Sequence, residues 1–263
     1  MDTSRDWVEK GARFGHFTKG VIYGLIGALS LQVAIGNGGQ VAGQREAVRL
    51  VEHQPFGVVL LIGIAIGLLG YAVWRLIEGV KDTSRKGSDG KGMAHRIGAV
   101  LSGLINAALA VAVVQVAIGS GGGGGGARSW VGKVLEQPFG AVLLGLVGAG
   151  VVVVGVVQFY KAYTKKFLED FRGNAMSPTV RRWITRAGQV GYSARGVVFP
   201  IVGWGLLRAA LDNNPGETRD TRGALIEIAS SGYGQVLLGL VAVGLLAFGS
   251  FMVASARYRA IPT

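Results

Sequence analysis

The chain of 263 residues contains no cysteine. Disulfide bonds, thiol nucleophiles and cysteine-based metal sites are therefore excluded. Charge is also scarce, since 16% of the residues are charged, whereas a soluble domain has about 25%. Acids are the scarcest, with 15 Asp and Glu against 27 Lys and Arg, and none lies within an apolar run long enough to cross a membrane. Because paired carboxylates are missing there, we expect no enzymatic activity.

Apolar residues and glycine take the place of the missing charge. Half of the residues are hydrophobic and 45 are glycine. The apolar residues form six long runs, and about 20 such residues suffice to cross a bilayer. The weakest run is the fifth, since only residues 196–207 separate Arg195 from Arg208. It spans only if it begins near Thr185 and both arginines snorkel, or if Arg208 faces protein or water. The other five predicted spans are residues 17–36, 56–77, 97–118, 139–160 and 233–256.

The sequence repeats itself. Val-Ala-Ile-Gly at 33–36 recurs at 116–119, and Gln-Pro-Phe-Gly at 54–57 recurs at 137–140, each 83 residues later. A third, more divergent copy begins near Arg186. Each copy holds two apolar runs, which predicts an all-α polytopic membrane protein: six helices in three tandem hairpin repeats with pseudo-threefold symmetry. The predicted repeats are 1–84, 92–167 and 185–261, with a basic cytoplasmic linker at 168–184.

Each outer loop follows the same pattern. A glycine-rich or Asn-rich stretch comes first, then an amphipathic turn led by arginine, then an elbow that starts the returning helix. The elbows contain Pro55 and Pro138, and proline suits a helix start because its missing N–H would be unpaired there. Between stretch and elbow we expect a short helix lying on the outer leaflet.

Basic residues set the orientation. Seven of the 27 Lys and Arg lie in the predicted outer loops, and the other 20 lie in the inner segments or at inner helix ends. Positive residues favour the cytoplasmic side of a membrane. Both termini are therefore expected in the cytoplasm.

Small residues mark expected helix contacts. Gly20 and Gly24 form a small-xxx-small pair, as do Gly63 and Gly67, while Gly103 is followed four residues later by an alanine. Such pairs let membrane helices approach closely.

Four polar residues within the spans are candidates for a pathway. Gln32, Gln115 and Arg208 occupy equivalent positions near the outer ends of the odd-numbered spans. They either ring a central opening or mark where helix ends reach the interface. Asn106 lies deeper, where it either bonds a neighbouring helix or lines a polar path.

The basic inner face predicts contact with lipid. Lys19, Arg195, Arg181 and Arg182 are expected to reach anionic headgroups on the cytoplasmic side. Nucleic acid is not an expected partner, because the basic residues interrupt apolar helices instead of forming one soluble face. The three histidines lie on opposite membrane sides, so neither a shared metal site nor a cofactor is expected.

Four segments carry a resemblance to a known family. They are Arg-Phe-Gly-His-Phe-Thr-Lys-Gly-Val-Ile-Tyr-Gly at 13–24, Gln-Pro-Phe-Gly at 54–57, the helix end from Gly67 to Arg75, and Ala-Arg-Tyr-Arg at 256–259. Together they resemble bacterial membrane proteins catalogued as Domain of Unknown Function 1206. The resemblance covers nearly the whole chain and implies six helices in three repeats and a bacterial plasma membrane. It implies no activity or catalytic residue, and the third repeat departs from it with Gly-Tyr-Gly at 232–234.

Two functions remain open at this point. The first is a non-enzymatic scaffold that binds lipid or partner proteins, including copies of itself. The second is a channel or small-solute transporter with a pathway near the pseudo-threefold axis. A packed centre favours the scaffold, whereas a continuous wet path past Gln115 and Arg208 favours transport.

The topology is testable with reporters. A reporter that is active only in the cytoplasm should be active when fused after Thr263, because six spans return the chain to the side on which it began. A reporter active only outside the cell serves as the matched fusion. Activity of that outside reporter alone would exclude the six-span arrangement.

Overall fold

The computed structural model of the chain describes residues 3–52, 57–83, 87, 89–118, 127–171 and 176–261. Within these ranges the structure is helical, with two 3-10 turns and one isolated bridge between Phe171 and Arg259. The α-helices are α1 (Thr3–Ala34), α2 (Gln44–Glu52), α3 (Gly57–Lys81), α4 (Gly90–Ala117), α5 (Ala127–Leu135), α6 (Gly140–Thr164), α7 (Pro178–Leu211), α8 (Thr221–Ala229) and α9 (Gly234–Tyr258). "Inner" below denotes the side of both termini.

Six of these helices, α1, α3, α4, α6, α7 and α9, are long and apolar enough to span a membrane. This confirms the predicted number of spans. Several helices continue further at their inner ends than the apolar runs do, and α7 has 34 residues. It begins early because the Ser177 hydroxyl caps it, accepting from Val180 N, and Pro178 takes the first turn. Residues 178–184 of the predicted linker therefore belong to α7.

The three outer loops each contain a short helix, α2, α5 or α8, at the place where an amphipathic turn was predicted. The elbow that follows depends on glycine. A Cβ on Gly140 would lie 1.7 Å from Val134 O, and on Gly234 it would lie 1.8 Å from Ala229 O. Gly57, the third equivalent, is equally confined, so each returning helix starts against the end of its loop helix. Pro138 is exposed beside this contact, while Pro55 lies outside the described residues.

The long helices pack most closely between repeats. The second long helix of each repeat lies along the first long helix of the next, giving three inter-repeat seams: α3 with α4, α6 with α7, and α9 with α1. Within hairpins, α1 packs on α3 and α7 on α9.

Equivalent residues meet at each seam. A Cβ on Gly20 would lie 2.8 Å from Gly249 O, and a Cβ on Gly103 would lie 3.1 Å from Ala72 O. At the seam between α6 and α7, a Cβ on Gly196 would lie 2.8 Å from the Phe159 ring. These contacts follow the repeat register of the sequence, so the packing itself has pseudo-threefold symmetry.

Three equivalent hydrogen bonds, from a side chain to a backbone carbonyl, join the helices at the inner ends of the seams. Arg13 Nη1 donates to Ala256 O at 2.7 Å, and Arg96 Nε donates to Gly79 O at 2.9 Å. Gln189 Nε2 donates to Ala162 O at 3.2 Å in the equivalent place. The last four carbonyls of a helix lack partners within that helix. Each repeat thus caps the second helix of the repeat before it.

An apolar core fills the space between the repeats. It takes buried side chains from α1, α3, α4, α7 and α9 and from the loop helices α2 and α8. Among the described residues, α6 contributes none to this core. The largest fully buried core side chains are Ile26, Leu61, Leu68, Val113, Leu225, Leu238 and Leu245.

The seam contacts predict opposite effects on stability for alanine at Gly20 and at Gly24, one helix turn apart on α1. Gly20→Ala should destabilise the protein by about 1–3 kcal/mol, because its Cβ meets the backbone of α9. Gly24→Ala serves as the control, since a Cβ there meets nothing within 4 Å, and alanine favours the helix by up to about 1 kcal/mol. Thermal unfolding in detergent measures both, and equal melting temperatures for the two variants would contradict the seam.

Candidate functional site

The polar set expected at the outer helix ends is not buried. Gln32, Gln115 and Arg208 are all exposed. The Arg208 guanidinium lies 5.7 Å from the centroid of the Trp204 ring on its own helix, within cation–π range. The apolar core between the repeats contains none of these three side chains, and the ring around a central opening stays a prediction.

Asn106 is buried, and it bonds its own helix. Its Nδ2 donates to Ser102 O at 2.6 Å, one turn earlier. The buried side-chain amide of Asn106 therefore has a hydrogen-bond acceptor within α4. The bond to a neighbouring helix and the polar path expected from the sequence both stay predictions.

Lys19 and Arg195 lie against aromatic rings in the protein. Lys19 Nζ is 3.6 Å from the Tyr71 ring centroid. The Arg195 guanidinium is 4.5 Å from the ring centroids of both Phe199 and Phe248. Both cations thereby lie within cation–π range of ring faces, and the headgroup contact expected from the sequence stays a prediction.

A buried histidine anchors the inner half of the first hairpin. His16 is 0% exposed, and its Nδ1 donates to Ala12 O at 2.7 Å. Its ring lies 5.1 Å from Tyr71 and 5.3 Å from Trp74, measured between centroids. Tyr71 and Trp74 are three residues apart on α3 and so share the helix face that meets α1.

One helix turn further in, a buried carboxylate gathers two basic groups. Glu78 is 4% exposed and accepts a hydrogen bond from Arg75 Nη1. His95 Nε2 of α4 lies 3.4 Å from the other carboxylate oxygen. The group joins α3 to α4 at the first seam, and the pairing of Glu78 with Arg75 agrees with its position at an inner helix end.

The end of the chain folds back onto this region. Arg259 Nη2 donates to Asp170 Oδ2 at 2.7 Å, and the Arg259 guanidinium lies 5.7 Å from the Trp74 ring centroid. Burial alone would lower the pKa of the Arg259 guanidinium, but Asp170, together with Tyr192, Tyr71 and Glu78, raises it on balance. These contacts tie the last repeat to the first, which is a structural role.

A basic pocket opens at the inner ends of α6 and α7. It has a volume of about 480 Å³. Among the described residues, its lining contains four cations and no acid. The lining residues are Lys165, Met176, Pro178, Arg181, Arg182, Thr185, Arg186 and Gln189.

The basic pocket follows from local sequence. Lys165 adopts a left-handed conformation with φ of 58° and ends α6 beside the start of α7. On α7, Arg181 and Thr185 are four residues apart, as are Arg182 and Arg186, so each pair follows one stripe of the helix. The positive end of the α7 dipole lies here as well. The arrangement suits a multiply charged oxyanion such as a phosphate.

The sequence identified only part of these sites. Arg181 and Arg182 were expected at the inner face. Lys165 and Arg186 were not singled out, although they flank the predicted basic linker. The His16 and Glu78 clusters depend on contacts between helices that spacing along one helix does not reveal. Among the described residues no group of three or more His, Asp or Glu side chains could hold a metal ion.

Comparison with known proteins gives a family but no activity. The sequence profile of the family described as Domain of Unknown Function (DUF1206) matches three segments, residues 14–82, 97–165 and 190–259. The "Uncharacterized protein YxxB" of Bacillus subtilis (strain 168) is 32% identical over 256 residues, covering 97% of this chain and 93% of that protein. No solved structure matches the chain.

The buried carboxylate predicts a large stability effect. Glu78→Gln should destabilise the protein by about 3–5 kcal/mol, because it leaves the largely buried Arg75 without its counter-charge. Glu136→Gln, at an exposed position in an outer loop, is the control. Unfolding in detergent measures both variants, and a Glu78 variant as stable as the Glu136 variant would show that the pair is dispensable.

Proposed function

Since the chain belongs to the family described as Domain of Unknown Function (DUF1206), which names no activity, we propose from its geometry that it is a non-enzymatic integral membrane protein that binds anionic phospholipid headgroups. The basic pocket is the proposed binding site. The proposed setting is a bacterial plasma membrane, with the basic pocket and both termini on the cytoplasmic side.

The observation that carries the proposal is the composition of the basic pocket. The part of the chain that the structure describes lines this cavity with no acid and with four basic residues, Lys165, Arg181, Arg182 and Arg186. Arginine binds phosphate oxygens with paired N–H donors and is weakly hydrated, so it suits recognition of a headgroup. A cationic cavity of this kind favours a ligand with concentrated negative charge over a zwitterionic one.

The depth of the basic pocket favours a lipid over a soluble anion. Its residues belong to the inner ends of two spanning helices, with Lys165 directly after α6 and Pro178 at the start of α7. Side chains at helix ends lie at the level of the headgroups. Anionic lipids also concentrate near the cytoplasmic surface, where each well-placed Lys or Arg contributes about 1 kcal/mol.

The channel alternative receives less support. Side chains from five of the six spans fill the centre with apolar groups, and Gln32, Gln115 and Arg208 are exposed at the outer ends. A solute flux through liposomes that Arg208→Gln abolishes, with folding preserved, would favour transport instead.

A charge-matched pair of triple variants tests the headgroup site. Arg181→Gln, Arg182→Gln and Arg186→Gln are combined in one variant, and Arg128→Gln, Lys133→Gln and Arg208→Gln in the other. Both remove three positive charges, but from opposite ends of the molecule. The first should bind phosphatidylglycerol in mixed phosphatidylcholine nanodiscs on the order of 100-fold more weakly, given about 1 kcal/mol per residue.

Native mass spectrometry of the retained lipid provides the measurement, and the outer triple variant should retain phosphatidylglycerol as the unchanged protein does. If both variants lost phosphatidylglycerol equally, lipid binding would depend only on the overall charge of the protein. No loss in either would remove the basic pocket as a lipid site.

A further inference from the structure

The second hairpin is open where the other two are closed. Within the first repeat α1 packs on α3, and within the third α7 packs on α9. In the described part of the second repeat, α4 and α6 make no comparable contact: α4 packs on α3, and α6 packs on α7. The two helices of one hairpin are thus held by the neighbouring repeats and separated from each other.

The glycines of the closed hairpins are nevertheless present in the open one. Gly15 and Gly191 are equivalent to Gly98, and both are crowded: a Cβ on Gly15 would lie 2.6 Å from Gly67 O, and one on Gly191 would lie 2.6 Å from the Cα of Phe248. A Cβ on Gly98 would meet nothing within 4 Å.

The facing helix shows the same contrast. Gly67 and Gly244 are equivalent to Gly150. A Cβ on Gly67 would lie 2.4 Å from the Thr18 hydroxyl, and one on Gly244 would lie 2.3 Å from the Cβ of Ala194. On Gly150 it would again meet nothing within 4 Å. Glycine inside a helix costs about 1 kcal/mol relative to alanine, and open space gives nothing in return.

The aromatic side chains of the closed hairpins are missing from the open one. His16, Tyr71 and Trp74 pack together in the first hairpin, and Tyr192, Phe248 and Phe251 pack together in the third. The equivalent residues of the second hairpin are Ala99, Val154 and Val157. Aromatic pairs contribute about 0.5–1.5 kcal/mol each beyond the area that they bury. In a membrane, where apolar burial alone drives no association, such packing decides whether helices stay together.

We infer that the second hairpin is a lateral gate: α4 and α6 alternate between the open arrangement and a closed one in which Gly98 and Gly150 bring the two backbones together. The glycines allow the close approach, and the small side chains around them leave it weak. The faces that meet on closure are apolar, with Ile97, Leu101 and Val154 exposed in the open form. The gate therefore opens toward the hydrocarbon of the bilayer and admits only apolar groups. This inference is independent of the basic pocket.

The absence of native cysteine makes cross-linking a clean test. By equivalence with Ala194 and Gly244, closure brings residues 101 and 150 into contact, within the reach of a disulfide. Leu101→Cys with Gly150→Cys should therefore cross-link under mild oxidation in nanodiscs, more slowly than the closed-hairpin pair Thr18→Cys with Gly67→Cys. Leu101→Cys with Leu143→Cys, displaced by about 10 Å along α6, should not cross-link.

Pulsed electron paramagnetic resonance provides a second readout that does not place a side chain in the contact. Spin labels on Val111→Cys and Leu146→Cys, both exposed here and equivalent to the exposed Trp204 and Leu240 of the closed third hairpin, should show two distance populations. A single long distance without cross-linking would overturn the gate, since the hairpin would be permanently open. A single short distance, with cross-linking as fast as in the closed-hairpin pair, would also overturn the gate, since the hairpin would be permanently closed. Disulfide dimers from Leu101→Cys alone would assign the open face to a second copy of the chain.

Discussion

Close backbone contact at the three inter-repeat seams is the constraint on which the rest of the structure depends. Lipid tails are as apolar as the side chains of these helices, so hydrophobic burial alone cannot hold them together in a bilayer. Small residues compensate by letting the backbones touch, as Gly20 does against Gly249 and Gly203 does against Gly148. Dispersion then acts over many atoms at short range. Arg13, Arg96 and Gln189 add one polar link at each inner end.

With the seams fixed, the three hairpins are free to differ. The first carries buried polar groups around His16 and Glu78, and the third carries an aromatic cluster around Phe248. The described part of the second carries no such aromatic cluster, and its buried polar side chains are Asn106 and Gln158. The Gly20, Gly103 and Gly196 contacts of the seams are kept in all three repeats despite these differences, and the Glu78 group adds a link across the first seam through His95. The second hairpin can therefore open without separating the repeats. The basic pocket likewise lies at the inner end of one seam, where α6 meets α7.

The sequence predicted the architecture because that part of the information is periodic. Three patterns can be read along the sequence without any knowledge of contacts between helices: apolar runs of membrane length, segments repeated 83 residues apart, and the bias of Lys and Arg. The six spans and the three repeats are confirmed by the helices and by the family matches. The expected packing role of glycines is more uneven in the structure: Gly67 meets Thr18 and Phe14 at short range, whereas the nearest atom to a Cβ on Gly63 would be 3.9 Å away.

The sites were less predictable because each depends on distances between helices. The sequence placed Lys19 and Arg195 near the inner ends of their helices but could not show that Tyr71 and Phe248 supply ring faces to them. Nor could it show that Gln189 bonds Ala162 O, since that partnership joins two repeats. Arg181 and Arg182 were recognisable from charge alone, whereas the cavity that they share with Lys165 needed the packing of α6 on α7.

The most direct test of this account is an experimental structure in lipid nanodiscs, determined by electron cryomicroscopy with a bound antibody fragment. The account predicts that α3 packs on α4, α6 on α7 and α9 on α1, with Gly20, Gly103 and Gly196 at equivalent contacts in all three seams. A map in which each hairpin packs within itself while the helices of neighbouring repeats stand apart would contradict it.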